Sequence, residues 1–468
     1  MASQPRLPIF GLILLVAGQL LPQLDFSIVN VALSAMGHTL HTSATGLVLI
    51  VALYGLSFAS LIATGARLGD RYGRKRIFFI GISGFALASA LCGFANGLVM
   101  MLVGRLLQGL CGALLMPQIM ATIHATLTGQ QHSRAVSIYT SVAGLAVALG
   151  QMLGGWLVSA NIFDLSWRIA FFINIPICLL VLMAGTRLIP ETRATNTPTM
   201  DFAGMGLFTL LLLCILLPVT LAEHWPPLGI LLLAAIPLGR HLWRIEHVQE
   251  QQGRSPLLPP SLFRNETTRT GFIGEAVVTF LYPGYLFVTA LTLQDALAFS
   301  PRQSGDSFIA LGLVYFLGSL LSRYLTQRFG NYRIFASGAM TTLLGLVLTT
   351  GFIQVWHTHI SIMQLSIATG IVGLGNAMML TAAFRMALAK VAPHHAGEAS
   401  SALNTIQQGC FALGTAFAGA IYALMLNHGY VAALATTFGL LALLLIGMAY
   451  YMLKVPRLYI CTPDESIS

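Results

Sequence analysis

The chain has 468 residues, of which 24 are Lys or Arg and 15 are Asp or Glu, so only 8% are charged, against roughly 25% in an average soluble domain. Hydrophobic residues make up 56% and the mean hydropathy is +0.80, which leaves too few charges to cover soluble domains. The chain therefore reads as an all-α polytopic membrane protein, and its net charge of +9 fits basic cytoplasmic loops rather than nucleic-acid binding.

A helix needs about 20 apolar residues to cross the hydrocarbon core. Spans are predicted at 9–36, 44–66, 77–95, 98–123, 135–159, 169–188, 202–222, 228–243, 271–293, 303–325, 334–353, 360–384, 400–426 and 430–453. With both termini cytoplasmic, every Lys and Arg falls on the cytoplasmic side except Arg168 and Arg302, outside, and Arg105, within a span. That asymmetry supports an even span count and this orientation. The expected location is the inner (cytoplasmic) membrane. Cys92, Cys111, Cys178, Cys214, Cys410 and Cys461 are scattered, and His357 and His359 share a short outer loop, so neither disulfides nor a metal site are expected.

The chain repeats itself. LGDRYGRKRIFFIG (68–81) and LTQRFGNYRIFASG (325–338) share Leu68/Leu325, Arg71/Arg328, Gly73/Gly330, Arg76/Arg333, Ile77/Ile334, Phe78/Phe335 and Gly81/Gly338. GLCGALLM (109–116) is echoed by GLGNAMML (373–380). The division that follows is a six-helix bundle at 1–190, an inserted helix pair with flanking linkers at 191–254, and a second six-helix bundle at 255–468. Duplication of this kind marks transporters, with the substrate site near mid-membrane between the halves.

A charge at mid-helix costs on the order of 3 kcal/mol to insert, so intramembrane charges are functional candidates. Asp25, Arg105 and Glu275 are the three in this chain. Asp25 and Arg105 come out at similar depth in the outer half, able to meet if the first and fourth spans are adjacent. Glu275 comes out one to two turns inside the cytoplasmic end of its span. Asp25 reads either as a proton switch, governed by burial and by whether Arg105 stands beside it, or as half of a permanent ion pair. Gln23 and Asn30 lie on the face of the first span away from Asp25, while Arg105, Gln108, Gly109 and Gly112 form one stripe on the fourth. Gln23, Asn30, Gln108, Gln151, Asn404 and Gln408 are the candidate polar groups of a cavity. Gly150 and Gly154, with Gly155 beside them, form a small-residue ridge for helix packing, as do Gly109 and Gly112. Tyr54, Phe280, Tyr282, Tyr285 and Tyr315 read as core filling or as cavity wall.

There is no phosphate-binding glycine loop, so no nucleotide cofactor is expected and an ion gradient must drive transport. RLGDRYGRKR (67–76), LDFSIVNVALS (24–34), RLLQGLCGA (105–113), SWRIAFFINIPI (166–177), PLLPPSLFRN (256–265), LQDALAFSP (293–301) and GEASSALNTIQQGC (397–410) together resemble the major facilitator superfamily, in its fourteen-helix drug:proton antiporter branch. The resemblance implies a 6+2+6 helix arrangement, a cytoplasmic latch at Asp70, Arg71, Gly73 and Arg74, and proton coupling at Arg105. It implies a monomeric exporter of lipophilic, cationic compounds that takes protons in exchange. A proton-coupled carrier of one metabolite is the alternative, ahead of a non-transporting sensor. Four positions depart from the branch pattern: Gln151 stands where a Gly-Pro is usual, Ser34 replaces a proline, Gly65-Ala66 are in swapped order, and Gln407 replaces an arginine.

Overall fold

The structure, a computed structural model, describes residues 7–193, 201–221, 225–254, 256–391 and 396–459, without the side chains of 133, 136, 137, 140, 141, 143–145, 147, 148, 323, 396–398 and 455–459. Arg6, Cys461 and most of the linker ahead of the inserted pair lie outside the described residues. In chain order the long helices are α1 (Ile9–Leu40), α2 (Ala44–Tyr72), α3 (Arg74–Gly93), α4 (Leu98–Thr126), α5 (Gly129–Ala160) and α6 (Ser166–Leu188). The inserted pair is α7 (Phe202–Leu221) and α8 (Ile230–Gln251). The second bundle is α9 (Glu266–Leu291), α10 (Pro301–Phe329), α11 (Asn331–Trp356), α12 (Ile362–Leu388), α13 (Ala396–Met425) and α14 (Tyr430–Tyr459). Among the described residues thirteen helices are long and apolar enough to cross a membrane, and α5, 32 residues long, supplies the remaining span of the fourteen expected. The outer surface carries apolar side chains such as Leu87, Met183, Val347 and Leu443, 60% to 74% exposed, as a lipid-facing surface requires.

The sequence repeat is a structural repeat. In the first bundle α4 packs against α2 and α3; in the second, α12 packs against α10 and α11. Gly73 ends α2 and Gly330 ends α10, with φ of 107° and 84°, and each donates its N–H back to the helix it ends, at Gly69 and Thr326. Positive φ of this kind strains any residue with a Cβ, which explains why both copies of the motif carry glycine here.

Of the inserted pair, α7 wedges between α2 and α13, the seam of the two halves. Thr64 Oγ1 donates to Met205 Sδ at 2.6 Å, and Phe208 and Leu212 lie against Gly409. On α8 only Leu242 and Glu246 are buried; its first half is largely exposed and apolar, at Ile230, Leu232, Leu233 and Ile236. Three carboxylates tie the pair to the PLLPPSLF segment. Asp201 accepts from the Gly204 N–H (2.7 Å), Gln249 Nε2 (2.6 Å) and the Leu257 N–H (3.1 Å). Glu246 accepts from the Leu258 N–H (3.0 Å) and Glu250 from the Ser261 N–H (3.2 Å). Arg67 Nη2 donates to the Pro256 carbonyl at 3.2 Å, so the first bundle holds the same segment.

At the end of the molecule that carries the α1–α2 loop the two bundles close on one another. Ser34 donates to the Asp295 carboxylate, Gln294 Nε2 to the Val31 carbonyl (2.9 Å), Trp156 Nε1 to Asp306 Oδ1 (2.8 Å), and the Arg302 N–H to Ser159 Oγ (2.9 Å). Ser34, the departure from proline, thus supplies a hydroxyl that spans the seam. Gly155 and Gly305 bring α5 and α10 into backbone contact at the same end.

Candidate functional site

Asp25 and Arg105 do meet. Both are fully buried, and Arg105 Nη1 donates to Asp25 Oδ2. The other carboxylate oxygen accepts from Gln108 Nε2 (3.0 Å) and Asn174 Nδ2 (2.9 Å), which in turn reach Ser89 Oγ at 2.8 and 3.3 Å. Arg105 also donates from Nη1 to Gln108 Oε1 (2.9 Å) and from Nε to the Ile50 carbonyl (3.0 Å). Its guanidinium lies 4.1 Å from the centre of the Tyr54 ring, a cation–π contact that takes the place of a conventional partner for Nη2. Helices α4 and α6 thus bond the carboxylate directly, while α2 and α3 hold the side chains that do. Removing either partner would strand a buried charge, which is the costly way to lose such a pair.

Beside this network lies a cavity lined by Pro22, Gln23, Phe26, Tyr54, Phe58 and Met116 of the first bundle, and by Gln408 and Phe411 of α13. Phe26 and Phe411 stack across it at 5.6 Å. Its free volume is about 10 Å³, at the limit for one water, so the cavity is collapsed and must widen to hold a drug. A larger space of about 170 Å³ opens between α2, α7 and α13 near the N-terminal end of α2, lined by Thr45, Val48, Val219, Thr220, Gly419 and Leu424 among others. Among the described residues no ionisable group lines it, and the central cavity lies next to the ion pair, which makes it the better candidate for chemistry linked to that pair.

Of the polar candidates, Gln23 and Gln408 line the central cavity, and the other four lie elsewhere. Gln108 turns to Asp25 on α1 and Ser89 on α3, while the glycines of its stripe, Gly109 and Gly112, pack on α2. Asn30 donates to the Phe26 carbonyl of its own helix at 3.1 Å. Gln151 is fully buried on α5 beside the α10 crossing, with neither amide atom partnered. Asn404 is half-buried on α13, one turn before Gln408, outside the lining. The glycines pack as expected. Gly109 lies against Tyr54 and Ser57, Gly112 against the Phe58 ring, Gly150 against Ser27, Gly154 against Ile28, and Gly155 against Pro301 and Gly305.

Glu275 lies on α9. Asn265 caps α9 by accepting from the Thr268 N–H at 3.3 Å, so the helix starts at Glu266, and Glu275 lies nine residues in, about 14 Å at 1.5 Å per residue. It is 3% exposed, with Oε2 unpartnered, within electrostatic reach of Tyr315 and Cys410.

At the α2–α3 turn Arg74 pairs with Asp70 of its own motif, Nη2 to Oδ1 at 2.7 Å, and Nη1 donates to the Ala121 carbonyl of α4 at 3.1 Å. Arg71 stacks over Tyr72 at 5.4 Å, and Glu191 accepts from the Lys75 N–H at 3.1 Å, capping α3. Asp70→Asn removes a pair worth about 0.5 to 1 kcal/mol at this exposure. Transport is expected to slow severalfold with substrate affinity unchanged, checked by measuring counterflow and equilibrium binding on the same variant.

Two repeated six-helix bundles, closed on each other at one membrane face around a buried ion pair and a cavity, define a secondary active transporter. The chain belongs to the major facilitator superfamily, which it matches over residues 15–282 and 271–465, and within it to the drug:proton antiporter branch. It is 33% identical over 442 residues to the puromycin resistance protein pur8 of Streptomyces alboniger, covering 90% of this chain and 84% of that one. It is 29% identical over 416 residues to the methylenomycin A resistance protein of Bacillus subtilis, covering 88% and 86%. With the multidrug efflux pump LfrA of Mycolicibacterium smegmatis it shares 27% over 404 residues, covering 86% and 78%. A solved POT family transporter in complex with 5-aminolevulinic acid superposes with a TM-score of 0.71 at 14% identity, over 98% of this chain and 99% of that one, which bears on the fold alone.

Proposed function

We propose that this chain exports lipophilic, cationic compounds across the cytoplasmic membrane in exchange for protons, by alternating access. The observation that carries this is the fully buried Asp25–Arg105 pair, one aromatic ring away from the cavity. The names of the relatives, resistance proteins and efflux pumps, point the same way. Asp25 is the proton site, Arg105 its coupling partner, and Glu275 a second carboxyl that attracts cations. The chain works as a monomer with both termini in the cytoplasm, driven by the proton gradient without a cofactor. Phe26, Tyr54, Phe58 and Phe411 give the cavity an aromatic wall, which suits varied lipophilic cations better than one metabolite held by fixed polar contacts.

Everted vesicles test this. After the lumen is acidified by respiration, adding a lipophilic cation such as ethidium should release lumenal protons and load the dye. A panel of uncharged metabolites should do neither. Proton release with a metabolite and none with any cation would overturn the reading.

A further inference from the structure

We infer that Tyr54 is the positioning residue through which the charge on Asp25 governs cation binding in the cavity. The inference rests on the function proposed above and adds to it the residue that makes protons and cations exclude one another.

Three helices fix the Tyr54 ring. Its hydroxyl donates to the Pro22 carbonyl of α1 at 3.3 Å. Its own carbonyl accepts from Ser57 at 3.0 Å and lies against Gly109 of α4, where a Cβ would not fit. Arg105 reaches the Ile50 carbonyl, one turn earlier on α2, and lays its guanidinium 4.1 Å from the ring centre. Yet the same ring lines the cavity with Gln23, Phe58 and Gln408. A single aromatic layer separates Arg105 from whatever the cavity holds.

The electrostatics follow from that layer. While Asp25 is ionised, the ion pair is close to neutral as seen from the cavity, and the ring can attract a cation. Once Asp25 takes a proton, the guanidinium is unbalanced and two positive charges compete for one ring in a low-dielectric site. The cation is then expelled. An uncharged ligand of the same shape feels little of this. The charged and titratable groups facing Asp25 are Arg105 on α4, Tyr54 on α2, Cys92 on α3 and Cys178 on α6.

The test is equilibrium binding of tetraphenylphosphonium and of uncharged triphenylphosphine oxide to the purified full chain, from alkaline to acidic pH. The wild type should lose cation affinity on acidification while the uncharged probe stays flat. Tyr54→Phe should keep this pattern. Tyr54→Leu should weaken the cation about tenfold at alkaline pH and flatten its pH response, with the uncharged probe, which also reports folding, within about twofold. A Tyr54→Leu variant that keeps the wild-type pH response, or weakens both probes alike, overturns the inference. If the wild type itself shows no pH response, or Asp25→Asn keeps it, the proposed function fails and takes this inference with it. If those two behave as expected and Tyr54→Leu does not, only the role of Tyr54 falls.

Discussion

Asp25→Asn should abolish proton-coupled export and destabilise the protein by about 3 to 5 kcal/mol. The first effect follows from removing the titrating group. The second follows from what surrounds it. A neutral amide alone is cheaper to bury than a carboxylate, but Arg105 is fully buried beside this one and would lose its counter-charge. The amide also keeps only one acceptor atom for Arg105, Gln108 and Asn174, three donors that now share two oxygens. Thermal unfolding in detergent checks the stability loss, and vesicle transport checks the coupling. Asp25→Asn combined with Arg105→Gln should recover much of the stability and none of the transport, because it removes the stranded charge without restoring a proton site.

Gly155→Val should shift the protein away from the state in which the two halves are closed at the α5–α10 crossing. A Cβ at 155 would lie 2.5 Å from the Pro301 carbonyl oxygen and 3.1 Å from Gly305 Cα, both backbone atoms of the opposite half. Overpacking of this kind costs about 1 to 3 kcal/mol, a shift of about fivefold to a hundredfold between two states. The cheapest relief is for the two halves to part at the α5–α10 crossing, which also breaks the contacts from Trp156 to Asp306 and from Ser34 to Asp295. Labelling of a Ser34→Cys reporter by an impermeant thiol reagent should rise severalfold in the Gly155→Val background, and export should fall by about tenfold or more. Unchanged labelling would show that the crossing does not hold the closed state.

The spans, the repeat and the Asp25–Arg105 pair were legible in the sequence because each is a charge or apolarity signal of high contrast. A carboxylate in an apolar run announces itself; an amide does not. Asn174 and Ser89 complete the network on Asp25, yet both are neutral residues whose meeting depends on the relative rotation of α3 and α6. The one cue was Asn174 inside SWRIAFFINIPI, a polar side chain in an otherwise apolar stretch. Gln108 was correctly placed on the stripe with Arg105 but expected to face the cavity, since helical spacing gives the face of a helix and not its neighbour. The predicted span start at 271 falls one turn inside α9, because the polar turn Glu266–Thr270 looks like loop although Asn265 ahead of it caps the helix. Gln151, in the place of a motif proline, is buried with its amide unpartnered, and nothing in the structure explains the substitution.

The most direct test of Asp25 as the coupling site is proton release when tetraphenylphosphonium is added to purified protein in weakly buffered solution. Wild type and Glu275→Gln should release protons, and Asp25→Asn should release none. Release that persists in Asp25→Asn and disappears in Glu275→Gln would contradict the assignment and move the coupling site from α1 to α9.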